Sequence, residues 1–342
     1  MKKITLYIPN DKFVLKDLIQ DNFFKKMNNK KLFKGIVYKQ RSTKLSLSNF
    51  LEKKLFLTKY RYFFWSIAER LARLELEKKN YGFGITSQTL VLSNIEVKFS
   101  NLIFNLGLSK LVIFFIKKYL IFTMKKYSIK GDHLIIFGSS KDLHYFDLVY
   151  LAKKLKKKVL LITNNWDNAT SKPFLIFPDA MGCWGSQTKK IASKIHKIPM
   201  IYISGTPRFN KFQNIKIKNN FKNNNKKILF VGSRFYMYEI EVLKIISNVI
   251  SKNFNNNFTI LYRPHPYTMV KNFDFINNIK NVKFEKSWKN FSSINKENNL
   301  KLLKSTDGLI SVMVSTMMLE ALHFYMPVLA LSTNFKNQGI SF

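Results

Sequence analysis

Apolar residues in this chain occur in two patterns: short runs that are mostly apolar, and longer segments where they recur three and four positions apart. The runs are Ile4–Ile8, Phe33–Tyr38, His133–Phe137, Lys158–Thr163, Phe174–Phe177 and Met200–Ser204, then Ile228–Val231, Phe258–Tyr262, Val282–Phe284 and Gly308–Val314. Gly308–Val314 is a continuous run of the kind a parallel strand covered on both faces requires. Between the runs, helical spacing predicts helices over Leu15–Met27, Thr58–Lys79, Leu102–Met124, Asp147–Lys156, Gly185–Ile195, Tyr238–Ser251 and Glu297–Lys304, and one that follows the Ser315-Thr316 turn and runs through His323, before a last strand opened by Pro327. In the second of these, Phe64, Ile67, Ala68, Leu71 and Leu74 share one face, while Arg61, Glu69, Arg70, Arg73 and Glu77 supply polar positions. Strands alternating with helices in this way predict an α/β architecture with doubly wound parallel sheets.

The length of 342 residues exceeds what one hydrophobic core usually supports. Between Phe209 and Lys227 the composition turns to Asn and Lys with few apolar anchors. The expected organisation is therefore a first Rossmann-like domain over residues 1–210, a linker over 211–227, and a second Rossmann-like domain over 228–342, the two facing across a cleft. Only Ser332–Phe342 follow the last predicted strand.

Composition narrows the chemistry. The single Cys183 excludes an internal disulfide and gives no metal-ligand spacing, which fits a reducing cytoplasm. No glycine-rich dinucleotide fingerprint follows the first strand, so a nicotinamide or flavin enzyme is disfavoured. The formal charge of +38 draws the surface toward anionic lipid, polyanions or phosphorylated substrates. Only seven of the 58 basic residues are Arg, and the Lys and Asn runs read as compositional background. A basic nucleic-acid-binding protein is the alternative of a different class, but no helix-turn-helix or stacking platform is visible. Met1-Lys2-Lys3 and the strand-like run after it are not read as a cleavable signal. In Leu102–Met124, the most hydrophobic segment, Lys110, Lys117 and Lys118 leave Leu111–Ile116 as the longest uncharged apolar run. That is far short of the roughly 20 residues of a spanning helix, so the segment reads as a core helix or as an interfacial helix with lysines at lipid headgroups.

The candidate site residues cluster at predicted strand ends. Ser315 and Thr316 open a helix just past a parallel strand, where free N–H groups and the helix dipole favour anions. Glu320, one turn further in, is placed to accept hydrogen bonds from sugar hydroxyls, or is simply a solvated helix residue. Arg208, Arg234 and Arg263 each follow a predicted strand. In a chain that otherwise prefers Lys, this suggests bidentate phosphate or carboxylate recognition, with an ordinary salt bridge as the plain reading. His265 is held between Pro264 and Pro266, which stiffen the loop that presents it. In Asn165-Trp166-Asp167-Asn168-Ala169-Thr170-Ser171-Lys172, Asp167 is a candidate general base and Lys172 a candidate cation for an acceptor phosphate, against the reading of a simple turn cap. Asp142, His144, His133 and Asp179 lie on neighbouring loops.

Arg263-Pro264-His265-Pro266, followed by Ser315-Thr316 with Glu320-Ala321-Leu322 and then Pro327-Val328, resembles the GT-B glycosyltransferase superfamily. The likeness spans about Asp132–Leu331 and is nearest to surface-polysaccharide proteins bordering on CDP-glycerol glycerophosphotransferases and UDP-N-acetylglucosamine 2-epimerases. It implies that His265, Arg234, Arg263 and the Ser315-Thr316 turn hold donor phosphates and that Glu320 holds the ribose. The first domain would then supply the base, Asp167, and acceptor contacts at Lys172 and Arg208. The glycerophosphotransferases have Trp-His-Gly where this chain has Trp166-Asp167-Asn168, so the base differs from that pattern. The expected activity is transfer of a glycosyl or glycerophosphoryl group from a nucleotide-activated donor to a surface-polysaccharide or lipid-linked acceptor, with a UDP-sugar 2-epimerase of the same fold as the alternative. No metal and no cofactor beyond the donor itself are expected. The expected location is cytoplasmic, with peripheral contact to the anionic inner face of the plasma membrane.

Overall fold

Two parallel sheets organise the chain, seen in a computed structural model that describes residues 2–8, 26, 33–39, 50–54, 59–79, 94–165, 172–206, 209, 225–232, 236–254, 257–265, 274–285, 296–312 and 315–331. Contacts divide these residues into two compact units, one within Met1–Lys211 and the other within Phe212–Asn334.

The first unit contains β1 (Lys2–Ile8), β2 (Phe33–Lys39), β3 (Phe50–Lys54), α1 (Lys59–Glu77), α2 (Asn94–Asn105), α3 (Ser109–Phe122) and β4 (His133–Gly138). It continues with α4 (Leu143–Lys154), β5 (Lys158–Thr163), β6 (Ala180–Cys183), α5 (Ser186–Ile195) and β7 (Met200–Ile203). All its strand pairs are parallel, in the order β3-β2-β1-β4-β5-β6-β7. The strand order reverses between β1 and β4. One core cluster packs Ile36, Leu134, Ile136, Val159 and Leu161 of the strands against Leu148, Val149 and Ala152 of α4. A second joins Trp65, Ile67 and Leu71 of α1 to Ile103, Ile116 and Leu120 of the next two helices and to Phe146 of α4.

The second unit contains β8 (Lys226–Val231), α6 (Tyr236–Asn253), β9 (Phe258–Arg263), a 3-10 turn (Asp274–Asn278) and β10 (Val282–Phe284). After these come α7 (Lys296–Lys304), β11 (Gly308–Ser311), α8 (Thr316–His323) and β12 (Val328–Ala330). Its sheet is again wholly parallel, ordered β10-β9-β8-β11-β12, with the reversal between β8 and β11. Phe230, Leu243, Ile260, Tyr262 and Ile310 form its core. The expected α/β class with two Rossmann-like domains is what is found.

Several elements depart from the periodicity. The segment Phe174–Phe177 is not a strand. Pro173 and Pro178 bracket it, Phe174 turns its ring edge-on to His196 with centroids 4.7 Å apart, and the ladder beside β5 is made instead by Leu160 opposite Ala180. The helix expected over Leu102–Met124 is two helices, broken at Gly107, whose φ of 72° suits a residue without Cβ. The helix expected from Asp147 starts a turn earlier, because the Asp142 carboxylate caps it by accepting from the His144 N–H at 2.9 Å. β3 has no counterpart in the sequence reading, and β8 starts at Lys226, inside the stretch that composition marked as linker. Apart from Lys26, the predicted Leu15–Met27 helix lies outside the described residues.

Candidate functional site

The reversal of strand order in the second sheet sets the place of the first candidate site. Open parallel sheets bind ligands beyond the carboxyl ends of their strands at such a point. There β8 ends at Gly232, β9 at Arg263-Pro264-His265, and β11 leads to Ser315. Ser315 has extended backbone angles, φ −123° and ψ 160°, and its hydroxyl accepts from the Met318 N–H at 3.1 Å. It is the N-cap of α8, as its sequence position predicted. The Ser315 carbonyl takes the Leu319 N–H at 3.2 Å. The N–H groups of Thr316 and Met317 belong to the first turn, which helix geometry leaves without intrahelical acceptors.

Arg263, the last residue of β9, is buried. Its Nη2 donates to Asn299 Oδ1 at 2.9 Å, and Asn299 Nδ2 reaches Glu320 Oε2 at 3.5 Å. Asn299 of α7 thus joins the Arg263 guanidinium to the buried Glu320 carboxylate of α8. Burial pulls the Arg263 pKa below its ordinary value, while the negative charges of Glu285 and Glu320 hold the cation in place. The Arg263 Nη1 is buried with no hydrogen-bond partner. A buried cationic donor in that state is costly, and an anionic oxygen brought to it would relieve the cost.

Beneath the same edge, Tyr262 donates a hydrogen bond to the fully buried Glu239 of α6. A Cβ at Gly232 would lie 2.8 and 2.9 Å from the two Glu239 carboxylate oxygens and 2.9 Å from Pro264 Cα. Only glycine lets the β8 terminus approach so closely, and its N–H donates to the Arg263 carbonyl at 2.7 Å.

In the first unit, the reversal between β1 and β4 gathers a second set of polar groups. Arg61 at the start of α1 pairs in two-pronged fashion with Asp147 of α4, Nη1 to Oδ2 at 2.8 Å and Nη2 to Oδ1 at 2.6 Å. Its remaining donors go to the Leu120 carbonyl at 2.8 Å and Thr123 Oγ1 at 3.1 Å. The Tyr127 hydroxyl donates to Asp147 Oδ2 at 3.2 Å and lies 3.2 Å from His144 Nδ1. Tyr7 of β1 donates to Asp142. Burial, together with Arg61 and Lys125, pushes the His144 pKa down to about 4, so its ring is neutral at pH 7, and its Nε2 is buried without a partner. Burial raises the Asp147 pKa, against the hydrogen bonds and charge of Arg61. Burial likewise carries the Tyr127 hydroxyl above its usual range.

Of the residues singled out from sequence, Arg263, His265, Ser315, Thr316 and Glu320 all lie at the carboxyl edge of the second sheet, and Asn299 brings Arg263 and Glu320 together. His265 is half-buried two residues beyond Arg263. Lys172 is buried next to Pro173, whose carbonyl accepts from Ser140 Oγ at 2.7 Å, which ties it to the loop after β4. Asp167, Arg208 and Arg234 lie outside the described residues. Asp179 is committed to structure, since its carboxylate accepts from the Val159 N–H at 2.8 Å. His133 stands at the exposed start of β4. The sequence reading missed Asn299, hidden in an Asn- and Lys-rich stretch, and the Arg61–Asp147 pair, whose partners are 86 positions apart. Among the described residues no group of three or more His, Cys, Asp or Glu side chains is placed to hold a metal ion. Burial raises the Cys183 thiol to about 11, which leaves it a poor nucleophile at neutral pH.

No family model matches the chain, and no curated protein matches it in sequence. Solved structures do match. A Listeria monocytogenes protein assigned as a UDP-N-acetylglucosamine 2-epimerase superposes with a TM-score of 0.52 at 11% identity, covering 99% of this chain and 81% of its own. The S. aureus MnaA–UDP structure superposes with a TM-score of 0.50 at 14% identity, covering 97% and 80%. At such identities the likeness speaks for the fold, which is GT-B-like.

Proposed function

We propose that this chain is a nucleotide-sugar-dependent GT-B transferase that passes a glycosyl or glycerophosphoryl group to a hydroxyl of a surface-polysaccharide or lipid-linked acceptor. The observation that carries the reading is the buried Arg263–Asn299–Glu320 relay beside the capped N-terminus of α8, at the β8/β11 reversal. It offers a cation and helix N–H groups for phosphate oxygens, and a carboxylate for ribose hydroxyls, in one place. His265 on its proline-held loop adds a further phosphate contact. In the first domain Asp167 accepts the acceptor proton, and Lys172 and Arg208 meet acceptor charge. The acceptor oxygen then bonds to the transferred carbon or phosphorus. The bond to the leaving nucleoside diphosphate, or monophosphate in glycerophosphoryl transfer, breaks, and its new charge falls on Arg263 and the α8 N–H groups.

One observation favours the epimerase alternative. Glu285 and Glu320 both act on the Arg263 charge, which puts two carboxylates near the same edge. Epimerisation needs an acid and a base at one sugar and no separate acceptor.

The test is a thermal-shift panel of UDP, CDP, GDP and CMP with the wild-type chain, Glu320→Ala and His265→Ala. One nucleotide should raise the wild-type melting temperature selectively, and both substitutions should weaken that shift. Unchanged affinity in both variants would sink the site assignment. Conversion of the UDP-sugar to its epimer without any acceptor would decide for the epimerase.

A further inference from the structure

The helical layer of the first unit wears part of its polarity inside out. On α2, Glu96 and Ser100 face inward and are buried. Ser66 Oγ of α1 donates to Glu96 Oε1 at 2.6 Å, and Arg70 Nη2 donates to Asn101 Oδ1 at 2.9 Å. Ile103 of α2 joins the core, but Ile95, Phe99 and Leu102 point the other way at helical spacing, with Ile95 73% exposed and the other two also exposed. On α3 the outward positions are Leu111, Phe114, Phe115, Lys118 and Phe122, the last 90% exposed. At 3.6 residues per turn these five fall within an arc of roughly 100°. The turn between the helices continues the surface with exposed Leu106 and Leu108 around Gly107. At the side, Phe64 of α1 packs against Tyr119 with centroids 4.8 Å apart, beside exposed Tyr60 and Phe63. A water-soluble monomer rarely leaves so continuous an apolar face uncovered.

Charge says what covers it. Lys98, Lys110, Lys118, Lys125 and Lys126 are exposed in and around this hairpin, and Lys117 is half-buried. The only acid between residues 94 and 126 is Glu96, which is buried against Ser66. Lys118 Nζ sits 5.5 Å from the centre of the Phe114 ring, so its stem lies along the apolar stripe while its head stays at the rim. Two copies meeting through this face would set lysine against lysine with no carboxylate to offset them. No helix among the described residues is long and apolar enough to cross a membrane, and the 14 residues of α3 reach only about 21 Å.

We propose that the α2–α3 hairpin is a docking face for an anionic lipid bilayer. Its apolar stripe enters the boundary between headgroups and acyl chains, and its lysines meet lipid phosphates. This surface is separate from the nucleotide reading, and it is tested without nucleotide.

The full chain is sedimented with vesicles of 7:3 phosphatidylcholine to phosphatidylglycerol, and with pure phosphatidylcholine, at low and high salt. The expected result is co-sedimentation with the anionic vesicles that weakens as salt rises. Exchanging Phe114, Phe115 and Phe122 together for Ser should lower the partition coefficient at least about tenfold, since each exchange removes buried apolar area. Exchanging Lys98, Lys110 and Lys118 for Gln should remove most of the preference for anionic lipid. If a variant melts early, hydrogen exchange on the wild-type chain replaces it, and residues 95–122 should gain protection with anionic vesicles alone. Absence of wild-type binding to either vesicle overturns the proposal. So does an unchanged partition in the Ser variant, or a lipid-free dimer that the Ser variant dissolves.

Discussion

Arg61 and Asp147 make a buried ion pair whose two halves respond differently to loss of the partner. With Asp147→Ala, the Arg61 guanidinium loses two charge-assisted hydrogen bonds of 2.8 and 2.6 Å and keeps only the Leu120 carbonyl and Thr123. It cannot shed its charge, so a stranded cation stays in the core at a cost of about 3–5 kcal/mol. For a unit of this size that is a fall of roughly 10 °C in melting temperature. With Arg61→Met, Asp147 is left with the Tyr127 hydroxyl, and the carboxyl can take a proton. Its folded pKa is already raised by burial and rises further without Arg61, above the unfolded value. The folded state then binds the proton more tightly, so this variant regains stability as pH falls toward the unfolded value, by at most about 1.4 kcal/mol per pH unit. Urea denaturation at pH 7 and pH 5, followed by circular dichroism, separates the two. The Arg61→Met deficit should shrink at pH 5, and the Asp147→Ala deficit should not. A loss under about 1 kcal/mol for Asp147→Ala, or equal pH-independent losses for both, would refute this account of the pair.

Two more predictions concern the two strand reversals. Gly232→Ala places a Cβ against both Glu239 oxygens and Pro264, and should cost about 1–3 kcal/mol in chemical denaturation while weakening any nucleotide-induced thermal shift. The His144 ring faces Tyr7 from β1 and Tyr127, while its backbone N–H donates to Asp142, and Arg61 and Lys125 lower its affinity for protons. Its folded pKa of about 4 lies below the unfolded value of about 6.5, so its contribution is intact above pH 6.5 and is lost as pH falls toward 4, by about 3 kcal/mol in all. A His144→Gln chain should lack that slope in a pH series of melts.

The α/β class was legible because apolar runs and helical spacing are local properties. Lys158–Thr163 and Val282–Phe284 were bounded to the residue, and the Ser315 cap followed from a hydroxyl placed between a buried run and a helix. The grouping of Arg263, Ser315, Thr316 and Glu320 at one sheet edge was legible for the same reason, since parallel strands all end on one side. What tertiary structure alone decided are relations between distant residues. Asn299 became the link between Arg263 and Glu320, 36 and 21 positions away, only when α7 and α8 packed beside the β9 terminus. The prolines around Phe174–Phe177 outweighed a strand-like run because the ladder could form at Ala180 instead. The direction of the α2 and α3 faces was also beyond sequence. Periodicity gives the angle between apolar and polar stripes, but only the neighbours determine which stripe is buried, and here Ser66 holds the buried Glu96 of α2 on the inner side.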